Sequence, residues 1–500
     1  MSRRAIYYFS LIFIITFLFY QERMGLNAIF AALSFVGFVA FDPSRSSNES
    51  DRNWKWYLAA SLFLSNAFAT YFIHSGFSIV LFYISLLYFI GVNYNIQLSL
   101  PLGLVQSLYS FFTGFYHIIE SVLQFFRKKK ESDRHRGLIR FIIILTPLII
   151  GLIFLKLYQN ADETFAEWTA FINLDWISWG FIGMYFILSY VLFGLYFFHG
   201  ATEIDQTENK YKNTILSGYT DHVQQFLGLM NERKIAMSLL ITLISLLLIY
   251  NVVDLRFIFV ELPNPAPTIR YSDLLHGGVN SLITSIILVI LIITFIFRGE
   301  LNFQRNKTLK TLTLIWLTLN IIMIITTGIK NYAYISHWGL TYKRIGVYIY
   351  LILALSGIIF TFIKVLRVKS FWYLLRNTSL AFMVVFTLVG FFNWNKIIVE
   401  NNLKLPISRI DFHYLNSLGD DAYPAMLVYY HTHQSELYDE LDFWQRVGRN
   451  FNWSKEWLER KQDVYTWKSK NYRESQLLQE MRSINPITNK KNGYDEMDYR

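Results

Sequence analysis

The feature that most limits what this chain can fold into is a repetition of apolar runs about 20 residues long. The hydrocarbon layer of a bilayer offers a backbone no hydrogen bonds, so only helices of about that length, or closed barrels, cross it. Candidate spans read near residues 5–20, 25–41, 55–74, 77–94, 138–157, 177–198, 235–257, 279–297, 308–328, 345–366 and 373–392. These are about 11 segments, and they predict an all-α, polytopic transmembrane helix bundle. Composition supports the runs: 53% of residues are hydrophobic and only 16% charged, against roughly 25% charged in soluble domains. The same values exclude a disordered chain and an ordinary soluble α/β enzyme. With no cysteine, a disulfide-built secreted scaffold is excluded as well. The first run is short enough for a signal peptide. It is followed by Gln21-Glu22-Arg23 rather than a small-residue cleavage site, and a second run begins within a few residues, so it reads as a span.

The formal net charge is +10, from 46 Lys and Arg against 36 Asp and Glu. In a soluble protein this would suggest nucleic acid. Here spans exclude acids while cytoplasmic loops collect Lys and Arg, and no basic run interleaved with aromatics lies outside the spans, so no nucleic-acid partner is expected. The strongest orientation marker is Arg127-Lys128-Lys129-Lys130, followed by Arg134, Arg136 and Arg140. Placed in the cytoplasm, it puts the amino terminus and the segments 42–54, 199–234, 298–307 and 367–372 on the same face. Segments 21–24, 75–76, 158–176, 258–278, 329–344 and everything after 392 then lie outside. The expected location is the inner cell membrane, multi-pass, with a cytoplasmic amino terminus and an extracytoplasmic carboxyl terminus. The bilayer is the expected partner, with anionic lipid at Arg127, Lys128, Lys129 and Lys130.

One apolar segment resists the count. In 102–126 the polar residues Gln106, Ser110, Thr113, His117, Glu120 and Gln124 recur at spacings of four and three, which is one stripe on a helix. It reads as an amphipathic helix in the cytoplasmic headgroup layer; the alternative is a span whose stripe lines a pathway. Residues 393–500 change character, being rich in Trp, Tyr and balanced charges, and predict helices over 411–430, 433–448 and 454–482. Trp453, Trp457, Val464 and Trp467 recur there at roughly helical spacing, and without disulfides the core of this tail should be thin. The chain thus divides into amino-terminal spans (1–98), an amphipathic helix with a basic loop (99–137), a core of spans (138–392) and a helical extramembrane tail (393–500).

Ionisable residues inside a span cost about 2.5–3.5 kcal/mol on insertion scales, so each needs a partner or a route to water. The span at 235–257 carries Asn251, Asp254 and Arg256. Asn251 and Asp254 share a face; Asp254 and Arg256 do not. Either Arg256 snorkels and Asp254 pairs with another helix, Lys156 or Arg344 being candidates, or they floor an outward cavity. The outer segments add Asp162, Glu163 and Glu167; Tyr271, Asp273 and His276; and Lys330, Tyr342, Lys343 and Arg344. Acids in one and bases in the others could form an ion-pair network or a binding site. His74, His276 and His337 share the outer side, but no pair has metal-ligand spacing. The sequence contains no phosphate loop, dinucleotide fingerprint, nucleophile elbow or zinc-protease helix, and nothing in it implies a cofactor or names a catalytic residue.

Four short stretches resemble a group of bacterial multi-spanning membrane proteins known only as domains of unknown function (4173 and the related 4153). Ala161-Asp162-Glu163-Thr164-Phe165 resembles Ala-Asp-Pro-x-Phe, with Glu163 where Pro is usual. Tyr271-Ser272-Asp273-Leu274-Leu275-His276-Gly277-Gly278 resembles the Tyr-containing start of the next span in its His form; the Arg of the other form is missing, and no role for it carries over. Gly339-Leu340-Thr341-Tyr342-Lys343-Arg344 resembles the Leu-Thr-x-x-Arg before a later span. Asn393-Trp394-Asn395-Lys396-Ile397-Ile398-Val399-Glu400-Asn401-Asn402-Leu403 resembles the stretch after the last one, with Asn395 replacing an acid and Asn401 a Tyr. Ile410 to Leu415 and Asp420-Asp421 continue the likeness. It covers roughly 135–430, and it implies a membrane location with no known activity.

By parity all four stretches fall on the outer side, which makes Asp162, Asp254, Arg256, Tyr271, His276, Tyr342, Arg344 and Asn393 a candidate polar cluster. Three functions compete: a non-enzymatic transporter-like or sensor-like bundle with an outward cavity capped by the tail, an envelope assembly or scaffold protein, and a membrane enzyme acting on a lipid-linked substrate.

Overall fold

The computed structural model describes residues 3–41, 53–127, 147, 151, 154–155, 157–159, 161–169, 178–197, 200–215, 228–262, 278–303, 307–437 and 441–484. The described residues are helical without strands; one isolated bridge joins Thr214 to Lys369. The first helices are α1 (Arg3–Phe19), α2 (Leu26–Ala40), α3 (Trp54–Ile73), α4 (Gly76–Tyr94) and α5 (Leu100–Arg127). Short helices follow: α6 (Glu163–Trp168), α7 (Trp179–Val191), α8 (Phe193–Phe197) and α9 (Thr202–Lys210). Then come α10 (Leu229–Arg256), continued by a π-turn (Phe257–Glu261), α11 (Gly278–Ile296), α12 (Lys307–Trp338), α13 (Tyr342–Leu366) and α14 (Phe371–Val389). Six of these are long and apolar enough to cross a membrane: α3, α4, α10 with part of its π-turn, α12, α13 and α14. Four shorter apolar helices, α1, α2, α7 and α11, accompany them. The expected span at 138–157 falls largely outside the described residues.

Helix ends follow from local chemistry. Ser75 opens α4 with a capping box shared with Ser78, and Thr341, Ser370 and Asn393 cap their helices with side-chain oxygens. Two apolar cores result. One gathers α1 to α4 with α7 and α8; the other gathers α10 to α13. Helix α14 lies between α3 and α13: its Met383 is buried in the first core, its Thr387 meets Asn66 of α3 at 3.1 Å, and its Tyr373 ring lies 6.3 Å from Phe360 of α13.

Helix α5 buries the head of its polar stripe against neighbouring helices. Gln106 and Ser110, at the head of the polar stripe, are buried, and the Ser110 hydroxyl donates to the Gly194 carbonyl at 2.8 Å. The Ser107 hydroxyl meets the Leu87 carbonyl at 2.5 Å, and the bare α-carbons of Gly91 and Gly194 let the α5 backbone at Gly103 and Ser110 approach. The outward face is apolar, with Phe112 and Tyr116 each 67% exposed. The head of the stripe therefore packs on protein; Thr113 is half-buried, and further along His117 and Glu120 pair with each other at 3.4 Å. Lys128, Lys129 and Lys130 lie outside the described residues.

The tail comprises α15 (Trp394–Asn402), α16 (Phe412–Asn416), α17 (Tyr423–Thr432), α18 (Leu441–Val464) and α19 (Tyr472–Arg482). Two predicted helices are thus split. Gly419, at φ +76°, breaks the first between α16 and α17, and a turn capped by Thr466 and Asn471 breaks the last between α18 and α19. The tail core is thicker than expected because it continues into the bundle through Ile345 of α13. Trp444 is fully buried, stacked on Tyr430 and edge-on to Phe412. Trp453, Trp457, Val464 and Trp467 lie on the exposed side instead.

The tail grips one end of the bundle. The Glu22 carboxylate accepts from the hydroxyls of Thr466 and Ser469, and the Leu26 amide donates to the Lys470 carbonyl at 2.9 Å. Gly25 is required there, because a Cβ would lie 2.5 Å from the Ser469 carbonyl oxygen. Asn402 of α15 holds both backbone groups of Leu340, and the Arg473 guanidinium reaches the Ile73 carbonyl at 3.4 Å. The opposite end is closed by other pairs. Arg376 meets Glu208 at 2.8 Å, Glu208 accepts from the Ser99 hydroxyl at 2.8 Å, and Lys55 donates to the Gln97 carbonyl at 2.9 Å. The segments assigned to one face by their basic residues thus gather at one end wherever these contacts report on them.

Candidate functional site

The six described candidate residues fall in several separate places. Tyr271 and His276 lie outside the described residues. Asp162 is exposed and caps the short helix α6, accepting from the Phe165 amide at 2.8 Å. Asp254 is buried in the second core region, where its partner is Lys330 of α12 rather than Arg344. The Thr326 hydroxyl adds a hydrogen bond at 3.0 Å, and Lys330 also lies over the rings of Tyr250 and Phe257. Lys330 was expected in an outer loop, but α12 runs on to Trp338 and carries it as helix. Asn251 donates to the carbonyls of Leu247 and Leu319. Arg256 is exposed on α10. The Asp254 pair therefore ties α10 to α12.

Arg344 is committed as well. Its guanidinium donates to the carbonyls of Trp338, at 2.9 Å, and of Gly339, and stacks 4.1 Å above the Tyr334 ring. A cation at this helix end meets carbonyls that have no partner within the helix. Gly339, at φ +80°, makes the turn that brings them together.

Tyr342 and Asn393 do come together, with three residues outside the expected cluster: Asn395, Asp421 and Arg473. Asp421 is the centre. Its two oxygens accept from Arg473 Nε at 2.8 Å and from Arg473 Nη2, from Asn393 Nδ2 at 3.1 Å and from Asn395 Nδ2 at 3.2 Å. The Tyr342 hydroxyl donates to Asn395 Oδ1 at 2.5 Å. Burial alone would lower the Arg473 pKa, but the Asp421 carboxylate overrides it and holds the guanidinium firmly charged. Asn395 and Asp421 stood in the stretches that carry the family resemblance. Arg473 had no signal, since it lies 52 residues beyond Asp421 and meets it only once the tail folds back.

This polar group roofs a cavity of about 340 Å³. The walls are apolar, including Ile345 and Ile349 of α13, Phe386 and Val389 of α14, and Phe77 at the start of α4. Gly346 faces open space: a Cβ added there meets nothing within 4 Å. Among the described lining residues Asp421 is the one carboxylate, and four donor contacts from three side chains occupy it. Among the described residues no three His, Cys, Asp or Glu side chains assemble as a metal-binding group.

Two further ionic features escaped the sequence reading. Glu232 of α10 pairs with Arg298 at 2.8 Å, and Lys364 of α13, 1% exposed, donates to the Phe297 carbonyl at 2.9 Å. Lys364 sits where α11 ends, so the carbonyl end of that helix supplies its negative partner.

Fold and site together define a multi-pass, all-helical membrane protein with a tail docked over one end of its bundle. The chain belongs to the family described as Domain of unknown function (DUF4153), which matches residues 5–429. No curated protein and no solved structure gives a significant match.

Proposed function

We propose that this protein is a non-enzymatic, sensor-like or transporter-like membrane bundle that receives an amphiphile in the cavity beneath its tail, on the extracytoplasmic side. The observation that carries this reading is the cavity: apolar walls continuous with the bundle, a hydrogen-bonding roof, and a volume of about 340 Å³, within the roughly 300–1,000 Å³ typical of small-molecule sites. An acyl or isoprenoid chain suits the walls, and a polar head suits the roof of Tyr342, Asn393 and Asn395. Asp421 is poorly placed to act as a base, because Arg473 and the two asparagines already occupy it; this favours binding over catalysis. The sidedness rests on the basic loops at the opposite end. On that side Arg127 to Lys130 would meet anionic lipid.

Gly346→Phe tests the reading, since it places a ring in the cavity without a backbone clash. Gly183→Phe is the control, because Gly183 is exposed and equally unobstructed. Mass spectrometry of amphiphiles carried through purification should find a species on the natural chain and the control that Gly346→Phe loses. Equal retention by Gly346→Phe contradicts the proposal.

A second reading, an assembly partner in the envelope, draws on the tail surface. Trp453 and Trp457 stack there with rings 6.3 Å apart at 7°, and Val464 is 72% exposed nearby in sequence. Exposed aromatic groups of this kind mark contact surfaces. Crosslinking at Trp453 that captures only lipid would set this second reading aside.

A further inference from the structure

A second cavity, about 40 Å³, lies at the seam between tail and bundle. Arg23 of the α1–α2 loop, His74 between α3 and α4, Lys461 of α18, and Lys470, Asn471 and Glu474 around the start of α19 line it. A buried water needs roughly 10–15 Å³ of such space. The cavity therefore has room for a few oxygen-sized atoms.

Two atoms on its wall lack partners among the described residues, Asn471 Nδ2 and His74 Nδ1. Asn471 is 2% exposed, and its Oδ1 is used, accepting from the Glu474 amide at 2.8 Å to cap α19. Nearly all buried side-chain polar atoms are hydrogen-bonded, so an orphaned amide N–H₂ facing a cavity marks a place for an acceptor. The charge has the matching sign. Arg23, Lys461 and Lys470 stand against Glu474, and Glu474 is spent on Lys461 at 2.7 Å. The Arg23 guanidinium sits over Tyr465 at 4.9 Å and Trp457 at 5.9 Å.

We propose that this seam cavity binds a small oxyanion, the terminal oxygens of a phosphoryl or carboxylate group, with Asn471 Nδ2 and the His74 ring as donors and Arg23 as counter-charge. Such a ligand would tie the tail to both loops at once. The group could belong to a lipid head or to a free anion. Burial holds the His74 pKa below its ordinary value; Glu474 raises it, and Lys461, Arg473 and Arg23 lower it further. Neutral imidazole can donate one hydrogen bond. A bound anion favours the protonated ring, so affinity should rise as pH falls toward the His74 range.

The test is calorimetric titration of the full chain in phosphate-free maltoside micelles with inorganic phosphate, acetate and a short-chain phosphatidylglycerol, against chloride at equal ionic strength. Asn471→Asp keeps the capping oxygen and replaces only the orphaned amide. His74→Asn suits the left-handed backbone at φ +49°. Saturable binding of at least one oxyanion is expected, weakened about tenfold or more in Asn471→Asp at an unchanged melting temperature. Gly346→Phe should bind as the natural chain does, which separates this site from the larger cavity. Phosphate or acetate binding assigns a soluble ligand; phosphatidylglycerol binding alone assigns a lipid head. No saturable binding by any of the three, or equal binding by Asn471→Asp, overturns the proposal. If Asn471→Asp melts early, His74→Asn decides by the same criteria.

Discussion

Replacing Asp421 by Asn should loosen the tail by about two orders of magnitude. The Asp421 side chain is 3% exposed, and that of Arg473 is 24% exposed. The substitution removes the charge on which Arg473, Asn393 and Asn395 converge. Breaking a buried ion pair by neutralising one partner costs about 3–5 kcal/mol, because the other charge stays desolvated. Arg473 keeps some access to water and its contact to the Ile73 carbonyl, which sets the loss at the low end, ~3 kcal/mol. At about 1.4 kcal/mol per tenfold, the docked-to-undocked ratio of the tail should fall by roughly 10². Hydrogen exchange read by mass spectrometry measures this directly: amides of α15 and α19 should exchange about 10²-fold faster, with α10 and α12 unaffected. The double change Asp421→Asn with Arg473→Gln leaves a neutral pair and should recover most of the loss. Unchanged exchange in the single variant, or a double variant as loose as the single one, would refute the assignment of Asp421 as the organising group.

Other outcomes follow from the same contacts. Asp254→Asn should lower the stability of the α10–α12 pair by about 3 kcal/mol, and adding Lys330→Met should return much of it, measured as melting temperature in micelles. Gly25→Ala forces a Cβ onto the Ser469 carbonyl and should free the start of α2 from the tail, seen as faster proteolysis between bundle and tail. Burial alone would raise the Glu22 carboxyl, but hydrogen bonds from Ser469 and Thr466, with Lys468 nearby, hold it below the ordinary 4.5. A depressed carboxylate stabilises the folded state above its unfolded pKa, and that contribution is lost as pH falls through the folded value. Tail docking should therefore weaken in acid, and Glu22→Gln should remove that part of the pH dependence of melting.

Much of the architecture was legible because length and apolarity alone decide what a bilayer admits. The ends of α3, α4 and α13 lie within a few residues of where composition put them, and Asn53, Ser75 and Thr341 cap them there. Pairing was harder to read. Asp254 needed a partner, and the sequence shows that need but not its answer, because Lys330 becomes a neighbour only when α12 packs on α10. The stripe of α5 was visible as a stripe, yet a polar stripe can face water or protein with equal spacing. Arg473 was illegible for a different reason: a lone Arg in a charged tail helix looks like solvent-facing charge until the tail folds over the end of α3. Tyr342 and Asn393 were found through the family-like stretches, and the roof they join is completed from the tail.

The proposed site requires the tail and the loops around Glu22, His74 and Leu340 to lie across the bilayer from the segment around Lys212. Because the chain has no cysteine, single cysteines report this cleanly. Lys404 and Lys212 are both exposed, one at each end. In intact cells a membrane-impermeant maleimide should label Lys404→Cys at once and Lys212→Cys only after permeabilisation. Labelling of both positions from the same face would contradict the account.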